Sequence, residues 1–316
     1  MSHSSPFGPV HVLLNPASGG GTAGRRWRNV SRLAAEIFPG LILHHSDGPG
    51  SLTRIARVLA ESGEPAVVIG AGGDGTSHEV LNGIAPASGA GPGRIRMGWL
   101  PLGSGNDLAR AVGVPNDPRR ALQSYRRMIE DRIDLGTVRF TDTDGAARAL
   151  TFGNSLTFGL SAEVLERVGR ANKRMGGRIA YFIGTARALL EQQEISFQLT
   201  VDGDQLAAEP ARLVSITNGP SLGAGMRIAP MARLADGQLE LLWIGGLSRI
   251  EALVLFPRVY FGSHLDHPRV RHRRIATMQV DAPRTLGFEV DGELYRGQPP
   301  FQVEVSPGRL SIVRPA

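Results

Sequence analysis

The chain has 316 residues, 35 of them basic and 29 acidic, for a formal charge of +6. With 41% hydrophobic and 20% charged residues it can bury a sizeable core, which excludes disorder as its main state. It has no cysteine, so disulfides, thiolate metal sites and cysteine nucleophiles are excluded, and a reducing compartment fits.

In chain order, Val10–Leu14 reads as a strand. It is too short for a signal-peptide core and ends in Asn15-Pro16. Residues 25–37 follow as a helix, with Trp27, Val30, Leu33, Ala34 and Ile37 on one face. Leu41–His45 is a second strand, and Ser51 caps a helix carrying Leu52, Ile55, Ala56 and Leu59. Ala66–Ala71 is a buried strand by its β-branched content, Thr76–Ile84 a helix, Met97–Leu102 a strand, and another helix opens near Asp107. Strands alternating with helices predict a doubly wound, mostly parallel sheet.

Past about Arg132 the pattern becomes strand-rich: Arg132–Phe140, Ala149–Leu156, Ile195–Val201, Ala211–Asn218, Gln238–Ile244, Thr277–Val280 and Leu286–Val290. Two helices interrupt it, Arg178–Gln192 and Ser248–Phe261. The fold class is therefore α/β, with a doubly wound domain over residues 1–131 and a β-rich domain over 132–299. The last pair of strands, Phe301–Val305 and Leu310–Val313, is compatible with either domain. No apolar run reaches the ~20 residues of a bilayer crossing, so a cytoplasmic protein, at most peripheral to a membrane, is expected.

Three glycine-rich loops follow early strands: Asn15-Pro16-Ala17-Ser18-Gly19-Gly20-Gly21, Gly70-Ala71-Gly72-Gly73-Asp74-Gly75-Thr76 and Pro101-Leu102-Gly103-Ser104-Gly105-Asn106-Asp107. Glycines let main-chain N–H groups approach phosphate, and the carboxyl ends of strands in an open α/β sheet are where ligands bind. A Gly-Lys-Ser/Thr P-loop is absent, as is a spaced dinucleotide fingerprint. Asp74 and Asp107 beside phosphates call for a cation, which points to Mg²⁺ and phosphoryl transfer.

At these residues the chain resembles the diacylglycerol kinase catalytic family, which includes bacterial lipid kinases and sphingosine kinases. The matching blocks are NPASGG (residues 15–20), GGDGT (72–76), PLGSGNDLAR (101–110), DLG (134–136), Asn218 with GAGMRIAPMARLADGQLEL (223–241), and VDGE (290–293). The resemblance implies an NAD-kinase-like nucleotide domain and a C-terminal β-sandwich, with a lipid cleft between them. It implies an ATP- and Mg²⁺-dependent kinase acting on a hydroxyl of a lipid such as diacylglycerol, at a membrane surface. It also implies ATP contacts from Asn15, Pro16, Ala17, Ser18, Gly19, Ser46, Gly72, Gly73, Asp74, Gly75, Thr76, Ser77, His78, Glu79 and Ser104. Asp74, Asp107 and Asp134 would organise catalytic Mg²⁺, and Glu293 would be the base. A second, structural Mg²⁺ maps to the Asp236 carboxylate and the carbonyls of Arg233 and Gln238.

Departures from the family pattern stand beside these matches. Gly20 replaces a common lysine, leaving Arg25 or Arg26 to supply its charge; His78 replaces a common asparagine, and Glu240 the usual aspartate. Read as bare residues, Asp291-Gly292-Glu293 is a hairpin turn that Asp291 orients, Asp134 an acid in a strand, and Asp236 a turn residue. The cluster Arg269, Arg271, His272, Arg273 and Arg274 is either a solvated face or a foot on anionic lipid, next to apolar residues 254–261. The stripe Ile179, Phe182, Ile183, Ala186, Leu189 and Leu190 reads as a core-facing helix or a wall of the lipid cleft. The histidines lack metal spacing, and no nucleic-acid module is present. A soluble acceptor such as NAD, or an idle nucleotide- and lipid-binding regulator, are the rival readings. A homodimer is compatible with all of them.

Overall fold

A computed structural model describes residues 7–86, 94–160, 194–223 and 225–316. The expected helix over 178–192 and its apolar stripe lie outside them. The chain divides into two compact units, Met1–Ile133 with Gly308–Ala316, and Asp134–Pro307.

The first unit contains β1 (Val10–Leu14), α1 (Ser18–Ile37), β2 (Ile42–His45), α2 (Ser51–Glu61), β3 (Ala66–Gly72), α3 (Asp74–Ile84), β4 (Ile95–Pro101), α4 (Asp107–Ala111) and α5 (Pro118–Ser124). Its strands are parallel in the order β2-β1-β3-β4, with Val12 opposite Ile69 and Val68 opposite Met97. β3 is buried along its whole length, as expected of a central parallel strand covered on both faces. Ile312, near the chain's end, pairs in parallel with Met97, so the final strand returns to this sheet. The backbones of α2 and α3 lie close because Gly83 has no side chain: a Cβ there would stand 2.5 Å from both Ala56 Cβ and Thr53 O.

The second unit begins within β5 (Met128–Asp142) and ends within β16 (Glu293–Pro315). Between them come β6 (Ala147–Phe152), β7 (Ser155–Gly159), β8 (Ile195–Val201), β9 (Asp204–Gln205), β10 (Glu209–Ala211), β11 (Leu213–Thr217), β12 (Leu239–Ile244), α6 (Arg249–Val259), β13 (Val270–Ile275), β14 (Thr277–Asp281) and β15 (Leu286–Val290). One run of antiparallel neighbours is β13-β12-β11-β7-β15, continued by residues 293–297 of β16. A second set joins β10 to β8, β8 to β14, and β14 to residues 301–304 of β16, with β5 and β6 alongside. Phe140, Phe158, Phe288 and Phe301 meet edge-on or tilted in the core of this sandwich, at centroid distances of 4.9–5.7 Å.

The apolar run of β12 is covered on both faces. Leu239, Leu241 and Trp243 face the sandwich core, while Leu242 and Ile244 face Leu255, Phe256 and Val259 of α6. A capping box starts α6: the Ser248 hydroxyl accepts from Glu251 N, and the Glu251 carboxylate accepts from Ser248 N.

β13 was not expected as a strand. Its sequence Val-Arg-His-Arg-Arg-Ile hides the alternation because its middle four side chains are all exposed and polar. Charges of this kind suit an edge strand, where they oppose further pairing.

Candidate active site

The three loops converge at one end of the first sheet. Gly19, Gly20 and Gly21 take left-handed φ values of 61°, 68° and 86°, which glycine adopts without the steric cost of a Cβ. Successive N–H groups in such a turn form a concave anion receptor. Gly72 O accepts from Leu102 N and Gly103 N at 2.8 and 2.9 Å, joining the second and third loops. A Cβ on Gly103 would lie 2.4 Å from Gly73 Cα, and one on Gly73 would lie 3.1 Å from Ser18 Oγ. Arg26, on α1, donates to Leu102 O and Gly103 O at 3.1 Å, so this arginine straps the first loop's helix to the third loop.

Asp74 fixes the arrangement. Its Oδ2 accepts from Asn106 N at 2.8 Å and its Oδ1 from Asp107 N at 2.7 Å. Only a glycine fits at 105, since a Cβ there would stand 2.0 Å from Asp74 Oδ2. Asn106 is left-handed (φ 57°), with its amide donating to Gly103 O. Asp107 is buried, and its carboxylate accepts from Arg110 at 2.5 Å; Arg110 also donates to Gly105 O at 2.7 Å. Sequence reading missed Arg110 because its partners lie within the motif it was read as ending.

Other expected ATP residues fall into two groups. Asn15 and Ala17 form the first turn, Ala17 N donating to Asn15 Oδ1 at 3.1 Å. Thr76 Oγ1 is buried beside Gly72 with no hydrogen-bond partner among the described residues, an acceptor and donor left for a ligand. Ser104 is exposed in the third loop. Ser46 follows β2 and shares a hydrogen bond with Ser51 at 2.9 Å. Glu79 instead receives Leu52 N at 3.0 Å, stabilising the start of α2, where a negative charge also complements the positive end of the helix dipole. His78 is buried in α3 against Asn82, one turn away. Ser77 donates back to Gly73 O within the same helix.

The remaining expected residues belong to the second unit, where a hydrogen-bonded network links Asp134 to the turn before Glu293. Asp291 is left-handed (φ 50°) and buried, and its carboxylate accepts three main-chain donors: Gly153 N at 3.0 Å, and Asn154 N and Ser155 N at 2.9 Å each. That clamp fixes the turn carrying Glu293, which is exposed. Asn218 donates from one amide to Gly153 O at 2.9 Å and Asp134 O at 2.8 Å. Asp134 is buried; its N donates to Leu234 O at 2.6 Å, and its Oδ2 accepts from Gly237 N at 2.7 Å. The loop of Arg233, Asp236 and Gln238 thereby holds Asp134 at both ends. Burial pushes the Glu240 carboxyl up, against the pull of Arg274 and His272.

The basic cluster is largely neutralised. Arg271 pairs with Glu209, Arg273 with Asp204 at 3.2 Å, and Arg274 with Asp236. Nearby, Leu199, Leu206, Leu241 and Trp243 line a cavity of about 260 Å³ whose rim includes Arg271 and Arg273.

A diacylglycerol kinase catalytic domain model matches residues 9–138, and a YegS C-terminal NAD kinase beta sandwich-like domain model matches 154–314, half of the chain. The chain belongs to the diacylglycerol kinase family. The chain is 29% identical over 311 residues to a Mycobacterium tuberculosis diacylglycerol kinase, covering 98% of this chain and 96% of that one. Its fold is similar to that of a diacylglycerol kinase from Bacillus anthracis, solved as a crystal structure (TM-score 0.77, 23% identity, 99% and 97% of the chains covered). A more distant fold likeness is to yeast NADH kinase (TM-score 0.52, 10% identity, 96% and 82% covered). The expected fold, an NAD-kinase-like α/β domain with a β-sandwich, is thus the fold observed.

Proposed function

We propose that this kinase transfers the γ-phosphate of ATP to a hydroxyl of a lipid such as diacylglycerol. The observation that carries the reading is the convergence of three glycine-rich loops, the second and third tied by the Asp74 carboxylate, beside a run of left-handed glycines and an unpartnered Thr76 hydroxyl. The loop N–H groups receive the ATP phosphates, and α3 directs its N-terminal dipole at them. Among the described residues no three acidic or histidine side chains form a ready metal cage. Mg²⁺ ordinarily takes only one or two carboxylates plus substrate phosphates, so Asp74 and Asp107 of the first unit fit it. When bound it would neutralise charge on the phosphates.

Glu293 accepts the proton of the lipid hydroxyl as the lipid oxygen bonds to the γ-phosphorus. The bond to the β,γ-bridging oxygen breaks and ADP leaves. Asp291 acts on Glu293 through the backbone of the turn. A placed carboxylate base is worth ~10²–10⁴-fold.

The apolar cavity of the second unit favours a lipid over a polar acceptor. So does the exposed apolar face of α6 and its end, where Ile250, Val254 and Phe261 are 75%, 67% and 78% exposed. We assign membrane contact to this face rather than to residues 269–274, whose guanidiniums are largely paired.

The test is transfer of radiolabelled γ-phosphate from Mg·ATP to a lipid panel in mixed micelles, with NAD alongside. Labelled lipid that disappears with Glu293→Gln supports the reading. Label on NAD alone replaces it with a soluble-acceptor kinase. ATP binding without transfer to any acceptor replaces it with an idle regulator.

A further inference from the structure

The loop that holds Asp134 is where the family resemblance maps a structural Mg²⁺, on the Asp236 carboxylate and the Arg233 and Gln238 carbonyls. Here the Asp236 carboxylate is already engaged. Its Oδ2 pairs with Arg274 Nη2, and its Oδ1 accepts from Gln238 N at 3.2 Å. Arg274 Nε also lies 3.5 Å from Glu240 Oε1, so one guanidinium bridges two carboxylates. The bridge follows from strand register, because β12 and β13 are antiparallel and Glu240 sits directly opposite Arg274. The side chains of Asp236 and Glu240 are mostly buried, at 19% and 6% exposure, and two such carboxylates side by side require a cation.

We propose that the Arg274 guanidinium takes the place of the structural divalent cation, so that the loop over residues 234–238 is set without a second metal. The residues do not fit Mg²⁺ in its expected place. An octahedral ion needs oxygen ligands at about 2.0–2.1 Å, and the guanidinium stands where those bonds would form. Arginine's planar fork is suited to bridging carboxylates and stays charged at any working pH. The consequence reaches the site: Leu234 O and Gly237 N of this loop hold the Asp134 backbone and carboxylate. Arg274 is thus a positioning residue for Asp134. Glu240 Oε2 is buried without a partner among the described residues, so removing the guanidinium would leave a ready carboxylate pair for a metal.

The inference is tested without nucleotide or lipid, so it stands or falls separately from the kinase reading. Metal-stripped protein is melted in EDTA and then across a Mg²⁺ titration to millimolar concentration. Wild type should melt at the same temperature throughout. Arg274→Gln should melt about 3–6 °C lower in EDTA and recover saturably with Mg²⁺, and adding Asp236→Asn should abolish the recovery. Should Arg274→Gln fail to fold, Mn²⁺ binding to the wild type, followed by paramagnetic resonance, decides the matter. A nucleotide-free Mn²⁺ site that Asp236→Asn removes would overturn the proposal; its absence would support it. A wild-type melting temperature that rises with Mg²⁺ and loses that rise in Asp236→Asn would overturn it equally.

Discussion

Asp291 offers the clearest measurement of how the second unit is held. Its carboxylate accepts three buried main-chain donors at 2.9–3.0 Å: Asn154 N and Ser155 N through Oδ1, and Gly153 N through Oδ2. In Asp291→Asn the amide oxygen can keep the first two, but the amide NH₂ then faces Gly153 N–H. One buried donor is left without an acceptor, at a cost of ~1–3 kcal/mol. Asparagine tolerates the left-handed φ of 50° about as well as aspartate, so this variant isolates the hydrogen bond. Asp291→Ala leaves all three donors without an acceptor and adds left-handed strain of ~1–2 kcal/mol, for a total of at least ~4 kcal/mol. For a unit of this size 1 kcal/mol shifts the melting temperature by roughly 2–4 °C. Asp291→Asn should therefore melt about 2–12 °C below wild type, and Asp291→Ala at least about 8 °C below. Both are read by circular dichroism, with turnover measured well below the melt. An Asn variant within a degree of wild type, or an Ala variant no worse than the Asn one, would refute the clamp.

Gly105→Ala places a methyl against Asp74 Oδ2, so fluorescent-ATP affinity should fall at least ~10-fold while the β-sandwich core still unfolds cooperatively. Unchanged affinity would separate Asp74 from the nucleotide loops. His11 and His44 stack with ring nitrogens 3.0 Å apart, and burial lowers both pKa values, with His44 adding to the effect on His11. A histidine whose folded pKa is depressed resists protonation in the native state. The first unit should accordingly hold full stability above pH ~6.5 and lose it as pH falls below that value. His44→Phe should flatten the melting profile between pH 7.5 and 5.5, and an unaltered slope would exclude the pair as its source. Ile250→Asp with Phe261→Asp should reduce sedimentation with liposomes several-fold at every salt concentration, because the contact is apolar. Arg271→Ala should change it little, since its charge is already paired with Glu209; the reverse pattern would restore the basic cluster as the membrane foot.

Much of this fold is written locally. The apolar runs at β1, β3 and β12, the capping box before α6 and the three glycine-rich loops all depend on residues within a few positions of one another. The loops also mark the end of the sheet suited to receive a phosphate, because glycine is the residue that permits left-handed turns and close backbone approach. The β13 edge strand was not legible, since alternation shows only when one face is buried and its middle residues are all exposed.

The sequence alone determined that Asp74, Asp107, Asp134 and Glu293 were present in a family order. What each does required tertiary structure. Asp74 reaches across 33 residues to Asp107 N, Asp291 across 138 to Gly153 N, and Arg274 across 38 to Asp236. Such partners are chosen by strand register and loop closure, and a shift of one residue in register would turn Arg274 to the other face, away from Glu240. Composition and spacing fix which chemistry is available; packing at long range decides which carboxylate stays free for a ligand and which is spent holding the backbone in place.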